Sequence, residues 1–169
     1  MKFFALILSI AMTATSFAHE IDNKSTIKVQ YGVGFHEDKL LDDSVRSINV
    51  GYYTQLTNPI SYNINGGYFG DKATDLNAGY VCAQFGAALH PFDWMFVENY
   101  FGPCYFSKTD DVSLSGHVQF ATNIGAGWRD PGTGSEIGLN WKHFSNAGLS
   151  KPNIGRDLLM LSVAFGLGE

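Results

Sequence analysis

The chain has 169 residues, a net charge of −5 and no basic cluster, which excludes a nucleic-acid binder. With 14% aromatic and 16% charged residues, 19 glycines and no second apolar segment long enough for a membrane helix, it excludes a helical membrane protein and favours a β-protein of one domain.

The first 18 residues divide into Lys2, an apolar run from Phe3 to Met12 and a small-residue exit ending Ser16-Phe17-Ala18, the three parts of a secretory signal peptide. The run is too short to cross a bilayer, so cleavage is expected at Ala18/His19, leaving 19–169 as a single domain. Export without a helical span leaves two classes: a soluble β-protein, or a barrel whose membrane signal is spread over alternating strands.

From Ser25 onward, apolar and polar residues alternate at period two between turn-rich breaks, and eight strands are predicted. The first sets Ile27, Val29, Tyr31, Val33 and Phe35 against Lys28, Gln30, Gly32 and His36. The second sets Ile48, Val50, Tyr52 and Leu56 against Ser47, Asn49, Tyr53 and Gln55, and the third sets Ile60, Tyr62 and Ile64 against Ser61, Asn63 and Asn65. The fourth, fifth and sixth carry apolar rows through Val81, Ala83, Phe85 and Leu89, through Met95, Val97, Phe101 and Tyr105, and through Val118, Phe120, Ile124 and Trp128. Their other faces hold Gln84, Glu98, His117, Gln119 and Asn123.

An eight-stranded antiparallel barrel in lipid needs an apolar exterior and a narrow interior filled by polar side chains and Gly, which is this division. A soluble sandwich would press two apolar faces together and would have no use for amides and glycines on the opposite face of every strand. The expected fold is therefore an all-β transmembrane barrel.

The breaks Thr57-Asn58-Pro59, His90-Pro91-Phe92-Asp93 and Asp130-Pro131-Gly132-Thr133-Gly134 are expected to be tight periplasmic turns. Those at Asp38–Asp43, Asp71–Asp75, Ser107–Ser113 and Gly148–Arg156 are expected to be longer outward loops. Folding the fourth and fifth strands about Asp93 sets Cys82 opposite Cys104 on the interior face, where a cross-strand disulfide is expected after export. His36 and His90 fall at rim or turn positions and His117 on an interior face, without metal-ligand spacing, so no metal site is expected. Trp94, Trp128 and Trp141 read as interfacial anchors, and Glu98 as lumen filling.

In the seventh strand, Ile137, Leu139 and Trp141 form the lipid row, and His143 and Ser145 continue it. The outward row of the eighth, Leu159, Leu161, Val163, Phe165 and Leu167, begins at Asp157. Folding this hairpin about residue 151 sets Ser145 opposite Asp157 and His143 opposite Leu159, within the roughly 4.5–5.5 Å Cβ spacing of cross-strand pairs. Polar groups on an apolar surface cost desolvation free energy unless they are paired or lie in the headgroup zone. Two readings stay open: ordinary headgroup-level side chains, or an activated nucleophile in which an imidazole takes the serine proton and a carboxylate orients the imidazole.

The segment His143-Phe144-Ser145-Asn146-Ala147-Gly148-Leu149, followed by Pro152-Asn153-Ile154-Gly155, resembles the signature of the lipid A 3-O-deacylases of the PagL type in residue types and spacing. Outside this hairpin the resemblance is architectural. It implies an outer-membrane serine hydrolase that removes the 3-hydroxyacyl chain ester-linked at position 3 of lipid A in the outer leaflet, without metal or organic cofactor. Lipid A, as lipopolysaccharide, would be its partner, and a homodimer is left open.

Carried over, Ser145 would be the nucleophile and His143 the general base. The acidic member of the family is usually Glu; Asp157 is one methylene shorter, so its contact with His143 is expected to need a backbone shift or a water. The backbone N–H groups of Asn146, Ala147 and Gly148 are candidates for the oxyanion hole. Pro152, Asn153 and Gly155 are expected to shape the loop; Gly148 and Gly155 read equally as turn formers and Asn153 as a loop cap. The alternatives are a non-enzymatic small barrel serving adhesion, structure or solute passage, and an esterase acting on phospholipid.

Overall fold

The computed structural model describes residues 25–36, 39–110 and 114–167, so the expected signal peptide lies outside the described residues, as does the side chain of His36. Eight strands follow one another in chain order: β1 (Thr26–His36), β2 (Lys39–Gln55), β3 (Ile60–Asp71), β4 (Leu76–Phe92), β5 (Met95–Phe106), β6 (Val118–Arg129), β7 (Glu136–Ser145) and β8 (Arg156–Gly166). Each pairs antiparallel with its neighbour, and β1 pairs with β8 from Thr26↔Gly166 to Gly34↔Leu158, closing the barrel. In hydrocarbon, closure is what satisfies every strand's backbone, because an open edge would leave its N–H and C=O groups without partners.

The alternation places side chains as the strand period requires. Ile27, Val29, Ile48, Val50, Ile64, Val81, Phe85, Phe101, Leu139, Leu161 and Phe165 face outward, while Lys28, Gln30, Asn49, Asn63, Gln84, Gln119, Asn123 and Asn140 are buried within. At the turn end, the interior is ionic. Lys28 Nζ lies 2.7 Å from Glu98 Oε2 and 3.3 Å from Glu136 Oε2, and Asn140 Nδ2 donates to Glu98 Oε1 at 2.6 Å. The ammonium also stands 4.8 Å and 4.9 Å from the Tyr53 and Phe96 ring centroids. Glu98 is therefore half of a buried ion pair rather than mere filling.

At the loop end, the interior departs from the polar expectation. Phe69, Phe106 and Phe144 are fully buried, and Tyr80 nearly so, in edge-to-face and stacked contacts with Leu114, Leu158 and Met160 around them. An eight-stranded barrel is just wide enough to be filled by side chains. Three phenylalanine rings fill that width without adding polar groups that need partners. Between the two storeys, Lys142 Nζ donates to Asn65 Oδ1 at 3.3 Å and sits 5.1 Å and 5.0 Å from the Tyr80 and Phe144 rings. Cys82 faces Cys104 across β4 and β5, and the two are joined by a disulfide.

Three expectations need correction. The strands run further than the alternation indicates: β2 starts at Lys39, so most of the expected Asp38–Asp43 loop is strand, its register shifts against Val33, Gly34 and His36 keeping the polar stretch paired. His90-Pro91-Phe92 belongs to β4, leaving Asp93 and Trp94 as the turn; Pro91 falls in a register irregularity, where a missing N–H is tolerated. His90 is accordingly buried, with Nε2 3.8 Å from Glu136 Oε1. His117, expected inside, is exposed just before β6, with Nδ1 2.7 Å from the Phe106 carbonyl and its ring stacked on Tyr105.

Two stability outcomes follow from these layers. Lys28→Met leaves Glu98 and Glu136 buried without their cation and is expected to cost roughly 3–5 kcal/mol in urea unfolding of the barrel in vesicles. Leu139→Arg, on the lipid face, is expected to cost roughly 2–4 kcal/mol in the same assay.

Candidate active site

His143 and Ser145 point outward because Phe144 between them points inward. Its ring, fully buried, lies 5.3 Å from Tyr80 and 5.2 Å from Phe106, so the strand's period forces both neighbours onto the opposite face. On the adjacent strands, His143 stands opposite Thr122 of β6 and Asp157 of β8, and Ser145 stands opposite Phe120.

Nδ1 of His143 is 3.0 Å from Oδ1 of Asp157, with the two side chains 29% and 38% exposed, a contact at the rim of the apolar belt and open to an approaching ligand. This corrects the expected register. The hairpin is centred one residue earlier than 151, so Asp157 faces His143 rather than Ser145, and Leu159 faces Trp141 rather than His143. The cause lies in residues 146–155, where Ala147, Gly148 and Gly155 adopt φ of 53°, 83° and 76° and set a turn that alternation does not encode. The same register removes the concern over the shorter acid: an Asp directly opposite the imidazole reaches it without a backbone shift or a water.

Ser145 lies two residues along the same row, about 6.5–7 Å from His143 between Cα atoms by strand geometry. No hydrogen bond joins its hydroxyl to another described residue. The structure thus brings the imidazole and the carboxylate into contact and sets the hydroxyl beside them, on one face.

The loop after Ser145 is fixed by Asn146. Its buried Nδ2 donates to the Ser115 carbonyl at 3.0 Å and the Ser150 carbonyl at 2.9 Å, while its backbone N–H donates to Asn153 Oδ1 at 3.0 Å. Its Oδ1 accepts from Gly148 N–H at 2.8 Å. Of the three oxyanion candidates, Asn146 and Gly148 therefore have their amides committed to the loop, and only the Ala147 N–H is without a partner among the described residues. The Pro152 carbonyl accepts from Ser115 Oγ, so Pro152 and Asn153 both hold the loop's shape.

Sequence reasoning missed two contributors. Ser115 ties the β5–β6 loop to the β7–β8 loop, and no periodicity marks it because it lies outside any strand. Arg156, pointing inward beside Asp157, spans the barrel mouth to buried Asp71 at 2.9 Å and 2.6 Å and fixes the start of β8. Its charge in a polar stretch was visible, but the distant partner was not. A cavity of about 270 Å³, lined in part by Asp42, Ser44, Asp71, Arg156 and Asp157, opens beside the acid. Among the described residues no three His, Cys, Asp or Glu side chains gather as a metal site requires.

The chain is similar to known proteins in both sequence and fold. The chain is 26% identical to the lipid A deacylase PagL of Bordetella bronchiseptica, over 94% of this chain and 92% of that protein. In fold it is similar to the crystal structure of the outer membrane enzyme PagL, at a TM-score of 0.63 and 20% identity, covering 84% of this chain and 99% of that one. It is also similar to the N-terminal β-barrel domain of Pseudomonas aeruginosa OprF, at a TM-score of 0.60 and 15% identity, covering 86% of this chain and 98% of that domain. Residues 29–166 match the family model described as lipid A 3-O-deacylase (PagL), a span that reaches from Val29 in β1 to the end of β8 and includes the hairpin of His143, Ser145 and Asp157, and the chain belongs to that family.

Proposed function

We propose that this outer-membrane lipid A 3-O-deacylase works by covalent serine catalysis on the outward face of the β7–β8 hairpin. The observation that carries the reading is the His143–Asp157 hydrogen bond on a lipid-facing row that also holds Ser145.

Membership of the family makes the substrate lipid A and the bond cleaved its 3-O-linked acyl ester. Asp157 holds Nδ1 of His143 and stabilises the imidazolium that forms during the reaction. Nε2 takes the Ser145 proton as Oγ attacks the ester carbonyl. The base and nucleophile need close up only in the Michaelis complex, as is common in sites without substrate. The Ala147 N–H is the donor we assign to the developing oxyanion. Collapse of the tetrahedral intermediate breaks the bond between the carbonyl carbon and the sugar oxygen, which leaves with the proton from His143. Water, deprotonated in turn by His143, then releases the fatty acid and restores Ser145. The acyl chain lies along the apolar exterior, so the substrate reacts without leaving its leaflet.

The test is the mass spectrum of lipid A from cells expressing the chain. Loss of one hydroxyacyl group is expected with the wild type, and no loss with Ser145→Ala or His143→Ala. Loss of a chain from phospholipid instead, or an unchanged spectrum with inserted protein, would overturn the reading. With purified protein, Asp157→Asn is expected to lower kcat by roughly 10²–10⁴-fold, because the imidazole loses the carboxylate that sets its tautomer. A change of less than tenfold would remove Asp157 from the mechanism.

A further inference from the structure

The reacting group with the most to lose from misplacement is the His143 ring, and more than Asp157 holds it. Trp141, one step down the same row, stacks on it with ring centroids 5.8 Å apart and planes inclined by 21°. Gly155 closes the opposite edge: a Cβ added there would lie 2.8 Å from His143 Cε1, 3.3 Å from Nε2 and 2.8 Å from the Phe144 carbonyl. Its φ of 76° is moreover one that a side chain rarely adopts. The imidazole is thus bounded by a carboxylate at Nδ1, an indole on its face and bare backbone at its Cε1–Nε2 edge.

We infer that Trp141 and Gly155 are positioning residues for the deacylation, holding the His143 ring in the one orientation that turns Nε2 toward Ser145. This rests on His143 being the general base.

Both geometry and charge give the two residues their effect. A chain rotating about two side-chain bonds on an open surface samples many orientations, and displacement of a reacting group by about 1 Å costs on the order of 100-fold in rate. Second, His143 becomes a cation once it takes the serine proton. The negative face of an indole within about 6 Å attracts that cation more than the neutral ring. The stack therefore favours the transition state over the ground state, which raises kcat rather than substrate binding. A Trp acting only as an interfacial anchor would do neither; its loss would alter seating in the membrane.

Purified wild type, Trp141→Leu, Trp141→Phe, Gly155→Ala, Ser145→Ala and His143→Ala are compared in lipid A–detergent micelles, after gel mobility confirms a folded barrel for each. The rate of labelling by a serine-directed fluorophosphonate is read alongside kcat and KM. Trp141→Leu is expected to lower kcat by roughly 10–100-fold with KM near the wild-type value, with labelling slowed in parallel. Trp141→Phe is expected to recover most of both. Gly155→Ala is expected to lower kcat similarly, because its new methyl group displaces the imidazole. Should Trp141→Leu fail to fold, Gly155→Ala and Trp141→Phe decide. A wild-type kcat in Trp141→Leu and Gly155→Ala, or a rise in KM alone, would overturn the inference while leaving the triad intact. Full activity in Ser145→Ala or His143→Ala would remove the triad itself and the inference with it.

Discussion

A chain crossing hydrocarbon must pair every backbone N–H and C=O within itself, and here that requirement is met by the seam between β1 and β8. Once the seam closes, side chains have two destinations only. The inner ones fill a narrow interior, and the outer ones face lipid. A catalytic group in such a barrel stands most readily on the rim or the outer wall, and the proposed triad of His143, Ser145 and Asp157 lies on the outward row at the loop end.

The inner space does the positioning. Toward the turn end, Lys28 is held between two carboxylates away from water, a pairing that is costly to break though of small net benefit to form. Toward the loop end, the ring cluster around Phe144 fixes the strand from within, while Asn146 and Ser115 lock the loop that follows. Arg156 does the same for β8 by reaching across the mouth to Asp71. Each residue of the proposed triad is thus next in sequence to an inward anchor: Phe144 lies between His143 and Ser145, Asn146 follows Ser145, and Arg156 precedes Asp157.

Much of this was legible in the sequence, and what was not has a common cause. The faces of all eight strands could be read because a slip of one residue would turn every apolar side chain inward. A slip of two leaves each side chain on its own face, so alternation could not choose between Asp157 opposite Ser145 and Asp157 opposite His143; the backbone of Ala147, Gly148 and Gly155 made that choice. His90 was hidden by a proline that suggests a turn but sits in a strand irregularity. His117 was placed inside by extending a period past the end of its strand. The stack of Trp141 on His143 was obscured because a tryptophan at that level is already explained by the membrane interface.

The division between anchor rows and reactive rows has an evolutionary side. Ser145 and Asp157 take no part in packing the interior, so either can be exchanged without disturbing what lets the barrel assemble. On the proposed mechanism, one nucleotide change is then enough to turn the enzyme into an inert wall of the same shape. Conversely, a barrel that already presents a polar outward row on a well-anchored hairpin is only a few substitutions from acquiring chemistry. Activity on this scaffold is cheap to lose and short to regain, and related barrels need not share a trade to share an architecture.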